Sequence, residues 1–116
     1  MPMNGLEFIQ ATKASVTTCT PAEAARRLAA ESQLIVIDVR EPAEHQAAAL
    51  KSAVNIPRGM LEFQVATACP EPELEILLYC KSGGRAVLAA KTLTEMGYPN
   101  VTAVEGAVED LIAALT

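Results

Sequence analysis

The residues best suited to chemistry lie in one short stretch, Tyr79-Cys80-Lys81-Ser82-Gly83-Gly84-Arg85-Ala86. An apolar run, Ile76-Leu77-Leu78-Tyr79, delivers the chain to Cys80. Arg85 is the fifth residue after it, and two of the residues between are glycines. The pattern that follows at once, Ala86-Val87-Leu88-Ala89-Ala90-Lys91-Thr92-Leu93, is helical. Strand, tight loop and helix are therefore expected in that order, with a thiol where the loop begins. Gly83 and Gly84 can take positive φ and carry no side chain, so the loop can curl with its N–H groups facing inward. The helix aims its positive dipole end at the same spot. Both effects favour thiolate over thiol, and thiolate is the nucleophilic form. Lys81 and Arg85 add positive charge. The expected device is a nucleophilic sulfur inside an anion cradle. The plainer alternative is a buried cysteine that merely closes a strand, as free cysteines commonly do. The glycine pair, the arginine and the immediate helix weigh against it.

A second group of candidates ends the run Leu34-Ile35-Val36-Ile37-Asp38-Val39. A continuous apolar run reads as a strand buried on both faces, hence a parallel sheet. Asp38 and Arg40 fall at its C-terminal end, the edge where open parallel sheets gather ligands. Two roles are open to them: tying loops together by hydrogen bonds, or touching substrate. His45 lies on a short helix expected to start near Pro42. It could serve as a general base for Cys80 or stand as a half-exposed helix histidine, and nothing in the spacing demands the former. Cys19 ends a Val- and Thr-rich strand without a glycine cradle and reads as a core thiol. Cys69, in the loop Cys69-Pro70-Glu71-Pro72-Glu73, reads as incidental. Three cysteines with no CxxC pair and a single histidine suggest neither a disulfide framework nor a zinc site.

These candidates need a scaffold, and 116 residues suit one domain. A hydrophobic share of 51% is enough for a real core, and with few aromatics it must be built of Ala, Val, Leu and Ile. A net charge of −5 argues against nucleic acid as a partner. No apolar stretch approaches the roughly 20 residues that cross a bilayer, and residues 1–15 lack the pattern of a signal peptide. Thiols kept reduced and free then point to the cytoplasm.

Residues 1–14 are weakly patterned, with Leu6, Phe8 and Ile9 able to pack a short helix or an arm onto the domain; they are treated as an N-terminal extension to a domain spanning 15–116. Thr20-Pro21-Ala22-Glu23 is a capped helix start, and the helix should run to about Ala30. Ala53-Val54-Asn55-Ile56-Pro57 is a short strand stopped by proline. An amphipathic stretch follows to about Ala68, with Met60, Leu61, Phe63 and Val65 as its expected apolar contacts. The helix after Gly84 should reach Met96 and stop at Gly97. Residues 100–104 form the last strand, Glu105-Gly106 a turn and residues 107–115 a closing helix. Strands alternating with helices imply an α/β fold of three layers: a mostly parallel sheet of about five strands with helices on both faces.

Taken together, Ile37-Asp38-Val39-Arg40-Glu41-Pro42, Ala53-Val54-Asn55-Ile56-Pro57, the Cys80 loop, and Asn100-Val101 through Glu105-Gly106 resemble the single-domain rhodaneses over roughly residues 16–115. The resemblance implies a sulfurtransferase. Cys80 would attack the outer sulfur of a donor such as thiosulfate or a persulfide, carry it as a persulfide, and pass it to cyanide, a thiol or a protein acceptor. Lys81, Ser82, Gly83, Gly84 and Arg85 would bind substrate, Asp38 and Arg40 would support the site, and no metal or organic cofactor is implied. Related phosphatases and arsenate reductases of this fold use a loop one residue longer, so the loop here favours sulfur over phosphate. A non-catalytic rhodanese-like binding module remains the main alternative, with a cysteine-based phosphatase or arsenate reductase behind it. Three places depart from the family: Ala48-Ala49-Leu50-Lys51-Ser52 replaces its Gly-His-Ile-Pro-Gly stretch, Ala107 replaces a glycine, and Leu111 stands where a tryptophan is usual. Ala107 is expected to stiffen a turn that needs backbone freedom.

Overall fold

The computed structural model describes residues 1–115; Thr116, the last residue of the expected domain, lies outside them. Five strands, β1 (Thr17–Cys19), β2 (Ile35–Asp38), β3 (Val54–Asn55), β4 (Ile76–Tyr79) and β5 (Val101–Val104), form one sheet in the order β1-β5-β4-β2-β3. Every pairing is parallel. The helices are α1 (Gly5–Lys13), α2 (Pro21–Ala30), α3 (Pro42–Ala47), α4 (Leu61–Ala68), α5 (Gly84–Glu95) and α6 (Val108–Ala114), and a 3-10 turn, Arg58–Met60, precedes α4. The expected three-layer α/β architecture is thus what the chain adopts.

The apolar strand runs explain the layering. Side chains alternate across a strand, so β2 and β4 each feed two cores. Ile37, Val39, Ile76, Leu78 and Cys80 pack on one face with Leu61 and Val65 of α4 and Val87, Ala90 and Leu93 of α5. Val36, Leu77 and Tyr79 pack on the other with Ala24 of α2 and Val108 and Leu111 of α6. The strand β4, at the middle of the sheet, therefore carries Cys80 out on the α4/α5 face and Tyr79 on the opposite one.

Local signals set the helix ends. Thr20 and Glu23 form the capping box that starts α2, with Pro21 in its first turn. Gly97, at φ +105, ends α5 in the left-handed region. The N-terminal segment forms α1, started by an Asn4/Glu7 capping box. It lies on α5, with Ile9 against the core, Phe8 beneath the Lys91 ammonium at 5.3 Å, and Lys13 ion-paired to Glu105.

One expectation needs correction. Of the apolar residues expected to pack the stretch before Ala68, only Leu61 and Val65 are buried; Met60 is 43% and Phe63 80% exposed. The first turn is 3-10 rather than α, which rotates Met60 off the inward stripe. Replacing Leu78, wholly buried, with alanine should cost about 2–5 kcal/mol of unfolding free energy in urea titration. Phe63→Ser should change it by no more than about 0.5 kcal/mol, because that ring is in water.

Candidate active site

Helix α5 begins without any side-chain cap. Gly83 holds the N-cap position and has nothing with which to accept from the first-turn amides. The sulfur of Cys80 does so instead. Gly83 N–H donates to Cys80 Sγ at 3.1 Å and Ala86 N–H, three residues into the helix, at 3.4 Å. The sulfur thus occupies the place where a Ser or Asp oxygen usually caps a helix, at the positive end of the dipole. Cys80 is only 2% exposed, so its sulfur lies at the floor of the loop.

The loop is held in this shape from behind. The carbonyl of Lys81 accepts from the N–H of Val108, the first residue of α6, at 2.9 Å, and that of Ser82 from Gly106 N–H, on the β5–α6 connection, at 3.0 Å. In a trans peptide the N–H points opposite to the C=O. Tying these two carbonyls outward turns the amides of Ser82 and Gly83 inward, towards the sulfur side. Glycine is needed at two positions here, each against a different neighbour. Gly83 has φ +123, and a Cβ there would come within 3.1 Å of Glu105 Cα. Gly106 has φ +148, and a Cβ there would meet Pro21 at 2.7 Å. Ala107, by contrast, has φ −71 and ψ 133, extended backbone open to any residue, so the expected penalty of its methyl group does not arise. Leu111 is fully buried in the second core.

Asp38 and Arg40 lie at the same sheet edge but serve the opposite face. Asp38 is in register with Tyr79 and buried. Its carboxylate accepts from the Arg40 backbone N–H at 2.9 Å and from Nε and Nη2 of the Arg40 guanidinium at 2.8–3.1 Å, and it lies 2.8 Å from His45 Nδ1. Burial pushes the Asp38 carboxyl up, but the hydrogen bonds from Arg40 and His45 outweigh it and hold it below the usual carboxylate range. Arg40 Nη2 also donates to Ala48 O at 2.6 Å, its guanidinium sits 5.5 Å from the Tyr79 ring centre, and Tyr79 OH accepts from Leu50 N–H at 3.2 Å. These contacts tie down residues 48–52, and they place His45 against Asp38 rather than against Cys80.

The same anchoring fixes α3, and α3 carries a residue that sequence reasoning passed over. Glu44 meets Arg85 fork to fork, Oε1 to Nη1 at 2.8 Å and Oε2 to Nη2 at 3.1 Å. The Glu41 N–H donates to the same carboxylate at 2.9 Å. The Arg85 bonds, with the backbone bond from Glu41 next in weight, lower the Glu44 pKa to about 2. In the sequence Glu44 looks like an ordinary first-turn acid three residues after a cap, and only the fold reveals its partner 41 residues away. Of the two cations in the loop, Arg85 is thus paired, while Lys81 is exposed with no ion-pair partner among the described residues.

The other thiols stand apart. Cys19 packs with the second core, across the sheet from Cys80. Cys69 is buried at the end of α4, where its Sγ donates to Glu71 O at 3.3 Å. Burial raises the pKa of both. All three cysteines are free thiols.

Two outcomes follow from this geometry. Gly106→Ala should force the β5–α6 turn away from Pro21 and release the Ser82 carbonyl. We expect a loss of about 1–3 kcal/mol in stability together with faster hydrogen exchange at Gly83 and Ala86 N–H. The Glu44–Arg85 pair gives a pH signature. Because the folded pKa of Glu44 is depressed, its stabilisation is complete above the ordinary glutamate pKa near 4.5 and is lost as pH falls through about 2. The stability gap between wild type and Glu44→Gln, read from urea melts, should therefore narrow steadily from pH 5 to pH 2.

Residues 20–114 match the rhodanese-like domain family. Thiosulfate sulfurtransferase PspE of Escherichia coli is 37% identical over 65 residues, a match covering 56% of this chain and 62% of that protein, so less than two thirds of the relative's length is spanned. A Rhodopseudomonas palustris protein described as a possible tyrosine phosphatase superposes with a TM-score of 0.83 at 26% identity, covering 98% of this chain and 96% of that one. The polysulfide-sulfur transferase homodimer of Wolinella succinogenes gives a TM-score of 0.76 at 31% identity, covering 92% and 80%. With the family match spanning α2 through α6 and the cysteine loop inside it, the chain belongs to the rhodanese-like domain family.

Proposed function

We propose that the protein is a sulfurtransferase that carries a sulfane sulfur on Cys80. The observation that carries this reading is the Cys80 sulfur held under two backbone amides at the start of a helix. In the first step the Cys80 thiolate attacks the outer sulfur of a donor. The donor's sulfur–sulfur bond breaks and its electron pair leaves with the inner group. From thiosulfate the products are a Cys80 persulfide anion and sulfite; from a persulfide R–S–SH they are protonated Cys80 persulfide and the thiolate R–S⁻. In the second step a thiolate or cyanide attacks the outer sulfur of the Cys80 persulfide, which restores the Cys80 thiolate. The transferred sulfur keeps its oxidation state throughout, so no external oxidant or reductant enters. The inward amides of Ser82, Gly83 and Ala86 stabilise the anionic sulfur without adding bulk. Gly84 and Arg85 open the helix over it, and Lys81 offers charge at the rim. Asp38 and Arg40 act from the opposite face by fixing the α3 segment. Free thiols suit a reducing compartment, and we place the activity in the cytoplasm.

The likeness to the Rhodopseudomonas palustris protein supports a second reading, phosphoryl-ester hydrolysis. That chemistry asks an arginine to clamp the equatorial oxygens of a phosphoryl group. Arg85 is instead engaged by Glu44, and the loop of six residues from Cys80 to Arg85 is short for a phosphoryl group. The sulfur reading is the better supported.

Intact-mass measurement separates these readings and the non-catalytic module. Incubation with thiosulfate or a persulfide should add roughly 32 Da, one sulfur, to wild type and nothing to Cys80→Ser. Thiocyanate production from thiosulfate and cyanide should vanish in the same variant. No mass gain with either donor, or a gain that survives Cys80→Ser, would overturn the mechanism.

A further inference from the structure

The charge around the loop bears on which donor it accepts. Arg85 is the loop cation nearest the helix start, and both of its terminal nitrogens are taken by one carboxylate. Glu44 is not free to swing away. Its Oε1 is also held by Glu41 N–H, and its helix is anchored through His45 to the buried Asp38–Arg40 pair at the end of β2. The pair is close to neutral as a unit. Among the described residues Lys81 is then the one loop cation without an ion-pair partner, in a chain whose net charge is −5. Thiosulfate arrives as a dianion and leaves as the sulfite dianion, so it needs positive charge at both stages. A persulfide of an uncharged thiol brings at most one negative charge and releases a thiolate. One free cation matches the second donor and falls short for the first.

Building on the sulfurtransferase reading, we propose that Glu44 is a positioning residue that sets donor selectivity: by holding and neutralising Arg85, it biases the Cys80 loop against dianionic sulfur donors and towards persulfides of low charge. The chemistry at sulfur is unchanged. What Glu44 controls is how much of the Arg85 charge a donor feels as it approaches Cys80.

The test compares two donors, thiosulfate and 2-hydroxyethyl persulfide, through kcat/KM for loading Cys80. Wild type should favour the persulfide. Glu44→Gln should raise the thiosulfate-to-persulfide ratio about three- to fivefold, the range open to a half-exposed charge pair, mainly through a lower KM for thiosulfate. That gain should fade at high ionic strength. Glu44→Asp, which keeps the charge, should restore a ratio near that of wild type. An unchanged ratio in Glu44→Gln overturns the proposal, and so does an equal shift in Glu44→Asp, which would mark a purely structural role. Lys81→Met guards against a Glu44 variant that fails to fold: it should lower the ratio, and an unaltered ratio counts against the charge argument. Titrating sulfite into Cys80→Ser, with and without Glu44→Gln, reads anion binding without turnover. Several-fold tighter binding in the double variant is expected, and equal binding overturns the proposal. If wild type takes sulfur from neither donor, the sulfurtransferase reading falls, whereas a failed selectivity shift in an active enzyme removes only the role of Glu44.

Discussion

A sulfur atom standing in for a helix cap is the contact on which the rest of this structure depends. Helix α5 opens on two glycines and so brings no side-chain acceptor to its own first turn. Unsatisfied amides at a buried helix start are costly, and an ordinary capping oxygen there is worth about 1 kcal/mol. Cys80 meets that need from the end of the neighbouring strand. The need is reciprocal. A sulfur carrying negative charge requires donors, and the helix start provides them at fixed positions with no reorganisation. Capping the helix and stabilising any negative charge on this sulfur therefore draw on the same two hydrogen bonds.

The loop is short, and its shape is set by what lies on either side. Behind it, the β5–α6 connection takes the carbonyls of Lys81 and Ser82, which is why the amides that follow face the sulfur. That contact brings Gly83 against the Glu105 backbone more closely than a side chain allows, while the bare Gly106 leaves room for Pro21 of α2 on its other side. In front, α3 reaches over with Glu44 and holds Arg85. The anchor of α3 is the Asp38–Arg40–His45 cluster, whose polar atoms satisfy one another beneath the 48–52 segment. Buried charge of this kind is tolerated because every partner is present, and it fixes geometry more than it adds stability. One face of the sheet holds the Cys80 sulfur, and the other holds the cluster that positions its surroundings.

Helix α1 adds a third support, from residues outside the 20–114 family match. Ile9 Cδ1 would lie 3.0 Å from a Cβ at Gly84, so Ile9 packs closely over the bare first residue of α5. Lys13 pairs with Glu105 of the turn behind the loop. The loop is thus enclosed on several sides, with the Cys80 sulfur buried at its floor.

Much of this was readable from residue order alone. The strand runs at 34–39 and 76–79, the capping box at Thr20, the stop at Gly97 and the glycine pair after Cys80 are local signals, set by apolar patterning or by the backbone needs of a few adjacent residues. Such signals state their outcome wherever the chain is placed, so fold class and the cysteine loop followed from them. The partner of Arg85, the facing of Asp38 away from Cys80, the harmlessness of Ala107 and the exposure of Phe63 did not. They depend on which segments the sheet order brings together: α3 onto the loop, β2 beside β4 with paired side-chain directions, the β5–α6 turn against Pro21. Glu44 and Arg85 are 41 residues apart, and nothing in either neighbourhood names the other. Local backbone chemistry is written in the chain, whereas pairing between distant charges is decided only when packing closes the space between them.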